Sequence, residues 1–363
     1  MVSSADARDV LQGYAKLAFS VYTDSAVAAG ELLKRCHELA ENPAAAELSA
    51  ARQAWIHARA AYAQSEVFRF CGGPIDRVEF LVNTWPIDEE VIESSTGKTG
   101  LIDDVARFPV LSSAVLREAN GKGGETAVTT GFHALEFLIW GRDTRADGPG
   151  DRSPLDFADK TLLGPRRARY LEQAATLLQQ NLEEVAAEWA PERAGNYRER
   201  FLAMPHGDAL ALVIKGMGSL SGPELTGERL TVPYETKDEE NEHSCFSDTT
   251  HTDIWLDALG IQNVWLGQYQ RLDGSSTRGR GLAALVQRAD ATMGATLTRQ
   301  LEESVARARA IPAPFDQAIL GTDSQPGRRA IAATIAALKA QTDTLARLPA
   351  ALGVSLPLTT AGR

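Results

Sequence analysis

The sequence predicts an all-α protein built as two helical bundles related by internal duplication. Three observations carry that expectation. Apolar residues recur every three to four positions through several long segments, the period of a helix with one buried face. Runs rich in Val, Ile and Thr that alternate apolar and polar, the mark of strands, are missing. The chain has 363 residues, and at roughly 100–200 residues per domain that length fits two or three domains.

The elements follow in order. Val10, Tyr14, Leu17, Val21, Ala28, Leu32 and Leu39 predict a helix over 6–40, stopped at Asn42-Pro43. A second helix, 46–70, sets Trp55, Arg59, Tyr62 and Glu66 at spacings of 4, 3 and 4, so an arginine and a glutamate share a face with two aromatic rings. An internal Arg59–Glu66 ion pair and a polar cavity at Glu66 are the two readings of that face. Gly72-Gly73-Pro74 breaks the helix, and short helices are expected near 87–93, 99–106 and 110–119. Trp85 cannot be helical because Pro86 follows it. The next helix spans 125–140. Residues 1–145 read as the N-terminal bundle, 146–159 as a polar linker and 160–363 as the C-terminal bundle. The second bundle opens with helices over 162–189 and 195–219. An irregular, acid-rich region over 220–253 follows, then helices over 250–271, 278–310 and 326–348. Each half thus has two long helices, an irregular acidic region and a helix preceded by histidine.

Composition excludes several functions. A net charge of −11 repels nucleic acid and anionic membrane surfaces. No apolar run approaches the ~20 residues of a membrane span. Cys36, Cys71 and Cys245 form no Cys-x-x-Cys pair; a Cys36–Cys71 disulfide stays open for an exported chain. His-Glu-x-x-His is absent, and Phe137 after Glu136 rules out His-x-x-Glu-His. Gly-x-Ser-x-Gly and phosphate-cradling glycine loops are absent as well.

One stretch does carry chemistry. Thr129-Thr130-Gly131-Phe132-His133-Ala134-Leu135-Glu136-Phe137-Leu138-Ile139-Trp140-Gly141 sets one imidazole and one carboxylate three residues apart in an apolar helix. They share a face and can reach one point, as ligands of iron, zinc or copper do. A buried His–Glu hydrogen bond is the alternative. Glu66 is the expected third ligand. A second cluster, His243, Cys245, Asp248 and His251, bunches binding residue types in a loop. There Asp248 or Thr250 can equally cap the following helix.

Gly131-Phe132-His133-Ala134-Leu135-Glu136 matches the Gly-x-His-x-x-Glu motif of the imelysin-like family. Tyr62–Phe70, Asn83–Glu89 and His243–Asp253 resemble segments of its iron-regulated branch, in the same order. The resemblance implies an all-helical, two-bundle protein of the bacterial envelope, periplasmic or outer-membrane-associated. It also implies a link to iron uptake and to an envelope iron-uptake component, and the family is filed among metallopeptidases. Met1-Val2-Ser3-Ser4-Ala5-Asp6 has no signal regions, so an export signal ahead of Ser3 in the native gene is expected. The expected function is binding of a metal ion or metal-carrying ligand by His133, Glu136 and Glu66, with Arg59, His243, Cys245, Asp248 and His251 nearby. The metal would be iron, copper or zinc. The alternatives are a zinc-dependent metallopeptidase and a partner-binding helical protein whose polar core satisfies itself.

Overall fold

The computed structural model describes residues 3–97, 99–145, 147–158 and 163–355. The predicted linker is therefore described only over 147–158, and the residues ahead of Ser3 lie outside the described part. The long helices are α1 (Ser4–Glu41), α2 (Ala45–Ala63), α3 (Gly131–Trp140), α4 (Leu163–Glu188), α5 (His206–Ser219), α6 (Thr250–Leu266), α7 (Ala291–Arg309) and α8 (Pro326–Leu345). The fold is all-α apart from one antiparallel hairpin, β1 (Gln268–Gln270) with β2 (Ser276–Arg278).

Local chemistry sets several helix ends. The Ser3 hydroxyl accepts from the Asp6 N–H at 3.1 Å and opens α1. Asp290 caps α7 through the Met293 N–H at 2.9 Å, splitting the predicted 278–310 helix in two. Gly267, at φ 71°, ends α6 before residue 271 and releases the chain into the hairpin. Met204-Pro205 likewise divides the predicted 195–219 helix into Tyr197–Ala203 and α5.

α1 lies along α2 and α4, and α3 also packs on α2 and α4. α4, which the sequence assigns to the second bundle, thus lies against helices of the first. α7 packs between α6 and α8, while α6 also touches α2. The junction of these layers is α2, which touches both α3 and α6.

Two stretches differ from the sequence reading in ways that shape this junction. The second helix stops at Ala63, and Glu66–Phe68 forms a separate 3-10 turn. A Cβ on Gly260 of α6 would lie 2.7 Å from the Gln64 carbonyl oxygen, so only glycine lets α6 press against this turn. Leu220–Thr231, read as irregular because of Pro223, is a π-helix. Its wide turns bring residues five apart into register. The Thr226 hydroxyl donates to Ser221 O and the Thr231 hydroxyl to Thr226 O, each at 2.6 Å. Such turns occur often at functional sites. All three cysteines are free thiols, so no Cys36–Cys71 disulfide forms. No helix among the described residues is long and apolar enough to cross a membrane.

Candidate functional site

The motif helix α3 begins at Gly131, not at 125. Thr129 and Thr130 are held extended ahead of it. Asn120 Oδ1 accepts from the Thr129 N–H at 2.8 Å, and Tyr170 donates to Thr129 O at 2.8 Å. Gly131 adopts φ 87°, and a Cβ there would lie 2.5 Å from Val82 O. The glycine of the motif is thus required by left-handed backbone and by close approach to another segment. Every residue of α3 is buried. Trp55 of α2 donates to Phe132 O at 2.9 Å and anchors the helix.

His133 and Glu136 face inward on this helix, 2.9 Å apart between Nδ1 and Oε2. The second Glu136 oxygen accepts from the Ser247 N–H at 2.9 Å and from its hydroxyl at 2.6 Å. Burial pushes the Glu136 carboxyl up to about 8, against the Ser247 hydrogen bonds that would lower it. Burial, with the Arg59 guanidinium nearby, holds His133 well below its ordinary value. The pair is therefore close to neutral as a unit. His133 Nε2 is buried and has no hydrogen-bond partner.

The loop before α6 supplies the facing wall. The His243 ring lies 4.9 Å from the His133 ring, centroid to centroid, with Trp85 edge-on behind it at 5.4 Å. Arg59 Nη2 lies 3.0 Å from His243 Nδ1 and 3.1 Å from Nε2, and Asp253 Oδ2 lies 3.3 Å from Nδ1. If Nδ1 donates to Asp253, Nε2 accepts from Arg59 and neither nitrogen is left over. Asp253 also accepts from Arg59 Nε at 3.0 Å and from the Ser244 hydroxyl at 2.6 Å.

Glu66 belongs to the same polar network but not to the His133 pair. Its Oε2 accepts from Arg69 at 2.6 Å and from Arg229 at 2.5 Å, and its Oε1 from Asn83 at 3.3 Å. Asn83 also accepts from Arg59, which links the two halves of the network. Burial alone would raise the Glu66 pKa, but Arg69 and Arg229 outweigh it and hold the carboxyl below its ordinary value. The predicted Arg59–Glu66 pairing is thus replaced by Arg59–Asp253 and Arg229–Glu66. Helix α2 ends before Glu66, so the face drawn through Trp55, Arg59 and Tyr62 does not extend to it.

The remaining predicted residues stand around this centre. Cys245 is partly buried, and burial with Glu136 nearby keeps it a thiol. Asp248 has left-handed backbone at φ 56°. His251 sits in the first turn of α6 with its Nδ1 buried and unpartnered. The sequence reading missed Asn83, Arg229, Ser247 and Asp257. Arg229 lies on the π-helix and donates to Glu66, Glu224 and, at 2.6 Å, Asp257. Ser221, Thr226 and Thr231 at five-residue spacing were the available signal for that helix.

The arrangement does not gather His133, Glu136 and Glu66 around one point. Among the described residues, no three His, Cys, Asp or Glu side chains are placed to hold a metal ion together. At its centre is the free Nε2 of His133, on a ring oriented by the Glu136 carboxyl at the opposite nitrogen. That is how metal-binding histidines are commonly held.

The fold and the motif agree with known proteins. The Imelysin family model (peptidase M75) matches residues 18–345. Iron-regulated protein A of Synechococcus elongatus is 28% identical over 335 residues, covering 90% of this chain and 81% of that one. A protein of Parabacteroides distasonis described as an iron-regulated protein A precursor has a crystal structure that aligns at TM-score 0.72 and 16% identity, covering 94% of this chain and 96% of its own. An imelysin-like protein from Psychrobacter arcticum aligns at TM-score 0.70 and 14% identity, covering 99% of both chains. With a family model spanning most of its length, the chain belongs to the imelysin family.

Proposed function

We propose that this imelysin binds a metal-carrying ligand in the bacterial envelope as part of iron handling, with His133 as the protein's own metal ligand. The observation that carries this reading is the buried, unpartnered Nε2 of His133. Leaving a buried polar nitrogen unmet costs free energy unless a ligand meets it. Glu136 orients the ring from Nδ1 instead of binding metal itself, and Ser247 holds Glu136. Arg59, Arg69 and Arg229 already balance the neighbouring carboxylates. A bare cation would meet these guanidinium groups without a compensating set of anionic ligands. A complex that brings its own acidic ligands and leaves one coordination position open fits better. The relatives named for iron regulation point the metal toward iron, and the neighbour described as a precursor supports export. A zinc peptidase would need two or three protein ligands and an open position, which these residues do not assemble.

The test is binding of iron(III) citrate, compared with copper(II) and zinc(II) salts, by calorimetry on the full chain. Wild type should bind the iron complex more tightly than the bare ions. His133→Ala should weaken that binding by about tenfold or more, as removal of a ligand should cost at least what loss of an orienting partner does. Helical circular dichroism should be unchanged. Equal binding by variant and wild type, or no uptake of any metal species by wild type, sinks the proposal.

A further inference from the structure

A cavity of about 510 Å3 opens where α1, the helix Tyr197–Ala203 and the segment after β2 meet. Asp9, Gly13 and Lys16 line it from one face of α1. Arg198 and Leu202, four residues apart, line it from the short helix, and Arg280 lines it from the segment after β2. A Cβ on Gly13 would lie 2.6 Å from Arg280 O, so α1 and that segment are in direct backbone contact. Lys16 donates to Arg278 O at 3.2 Å, which holds its ammonium beside the hairpin.

The cavity wall carries three cations and one acid, in a chain of net charge −11. Asp9 does not neutralise all three. It lies 3.4 Å from Arg280 Nη1, and Asp6 lies 2.5 Å from the same nitrogen, so Arg280 is the cation that these acids balance. Among the described residues neither Lys16 nor Arg198 is in an ion pair. The Lys16 ammonium meets a carbonyl, and Arg198 Nη1 is buried without a hydrogen-bond partner. Burial holds the Arg198 guanidinium below its ordinary value, and Glu192 nearby opposes this only in part. A charged group drawn out of water without a counter-charge is destabilised. An anion beside Arg198 and Lys16 is therefore favoured.

We infer that this cavity is a second ligand site, binding a small organic molecule with two or more carboxylate groups, one for Arg198 and one for Lys16. The planar guanidinium matches a carboxylate with two parallel hydrogen bonds, while the ammonium serves as a point charge. The cavity falls within the ~300–1,000 Å3 of small-molecule pockets, which leaves room for a carbon skeleton between the two acids. Gln12, also on the wall, offers a side-chain amide to a hydroxyl or a third carboxylate. None of these residues belongs to the His133 centre.

Calorimetry with metal-free citrate on the full chain, at low ionic strength, tests this. Wild type should take up one equivalent. Arg198→Gln and Lys16→Gln should each weaken binding by about tenfold, the scale of one lost charge-assisted hydrogen bond, with helical circular dichroism intact. His133→Ala should leave the uptake unchanged. That result separates this site from the one proposed for the iron complex, so either can fail alone. The inference is overturned if wild type takes up no citrate, if either variant binds it as wild type does, or if His133→Ala abolishes the uptake. Should Arg198→Gln fail to fold, Lys16→Gln, at an exposed position, decides on the same criterion.

Discussion

The carboxylates around Glu66 and those around Glu242 are both buried, yet they behave oppositely. Glu66, Asp253 and Asp257 each meet an arginine: Arg69 and Arg229, Arg59, and Arg229. Glu242, Asp248 and Asp316 meet one another. In the first region an arginine pairs with each of these carboxylates, although Asp257 Oδ1 is buried without a partner and burial pushes that carboxyl up. In the second, burial and neighbouring acids push the Glu239, Glu242 and Asp248 carboxyls up, and the Arg145 guanidinium near Asp248 only partly opposes this. Residue type is the same in both; direct ion pairs to arginine are what set the first region apart. Between them sits His133, neither charged nor hydrogen-bonded at Nε2.

The largest expected effect comes from breaking the arginine-paired network. Arg229→Met leaves Asp257 and part of Glu66 uncompensated, and loss of one partner of a buried pair costs about 3–5 kcal/mol. Urea unfolding at neutral pH measures it. A loss below ~1 kcal/mol would mean that Arg69 alone balances Glu66 and that the two regions are less different than described.

Gly131→Ala should cost about 2 kcal/mol, because it puts a side chain on left-handed backbone and against Val82 O. It should also displace the His133–Glu136 pair. Unchanged stability together with unchanged metal binding would show that the close approach is dispensable.

Glu242→Gln should act in the opposite direction. Removing a buried carboxyl whose ionisation burial and neighbouring acids oppose should raise stability at pH 8 by about 1 kcal/mol. Destabilisation at that pH would show that Glu242 has a compensating partner.

The pH dependence sharpens the contrast further. The folded Glu66 carboxyl lies below its ordinary value, so its stabilisation is present above that value and is lost as pH falls through it. Glu239 and Asp248 are raised to about 7 by burial and neighbouring acids. They favour the folded state while protonated, and that contribution is lost as pH rises from their ordinary values near ~4 through about 7. Urea midpoints from pH 3 to 8 should therefore fall at both ends. A midpoint that stays level between pH 5 and 8 would contradict the raised carboxyls of Glu239 and Asp248.

Much of the helical content was legible because it depends on neighbours in sequence. Apolar residues at helical spacing predicted α1, α4 and α8 closely. That His133 and Glu136 share a face followed from their i, i+3 spacing alone. The π-helix was not legible as such, since Pro223 reads locally as a breaker while the wider turn is stabilised by hydroxyls five residues back and by Arg229 reaching three acids. Nor was the fate of Glu66, because Arg229 reaches it from a distant segment and Arg69 meets it only once helix α2 has ended at Ala63.

The sequence by itself determined the all-α class, the motif helix and the placing of its imidazole and carboxylate on one face. These depend on period and spacing, which the local backbone enforces. Only the tertiary structure decided which carboxylates are neutralised, which nitrogen of His133 is free, and that Gly131 must be glycine. Those outcomes depend on charges and backbone atoms brought from distant parts of the chain, and over such short distances the Coulomb and steric terms override any local preference.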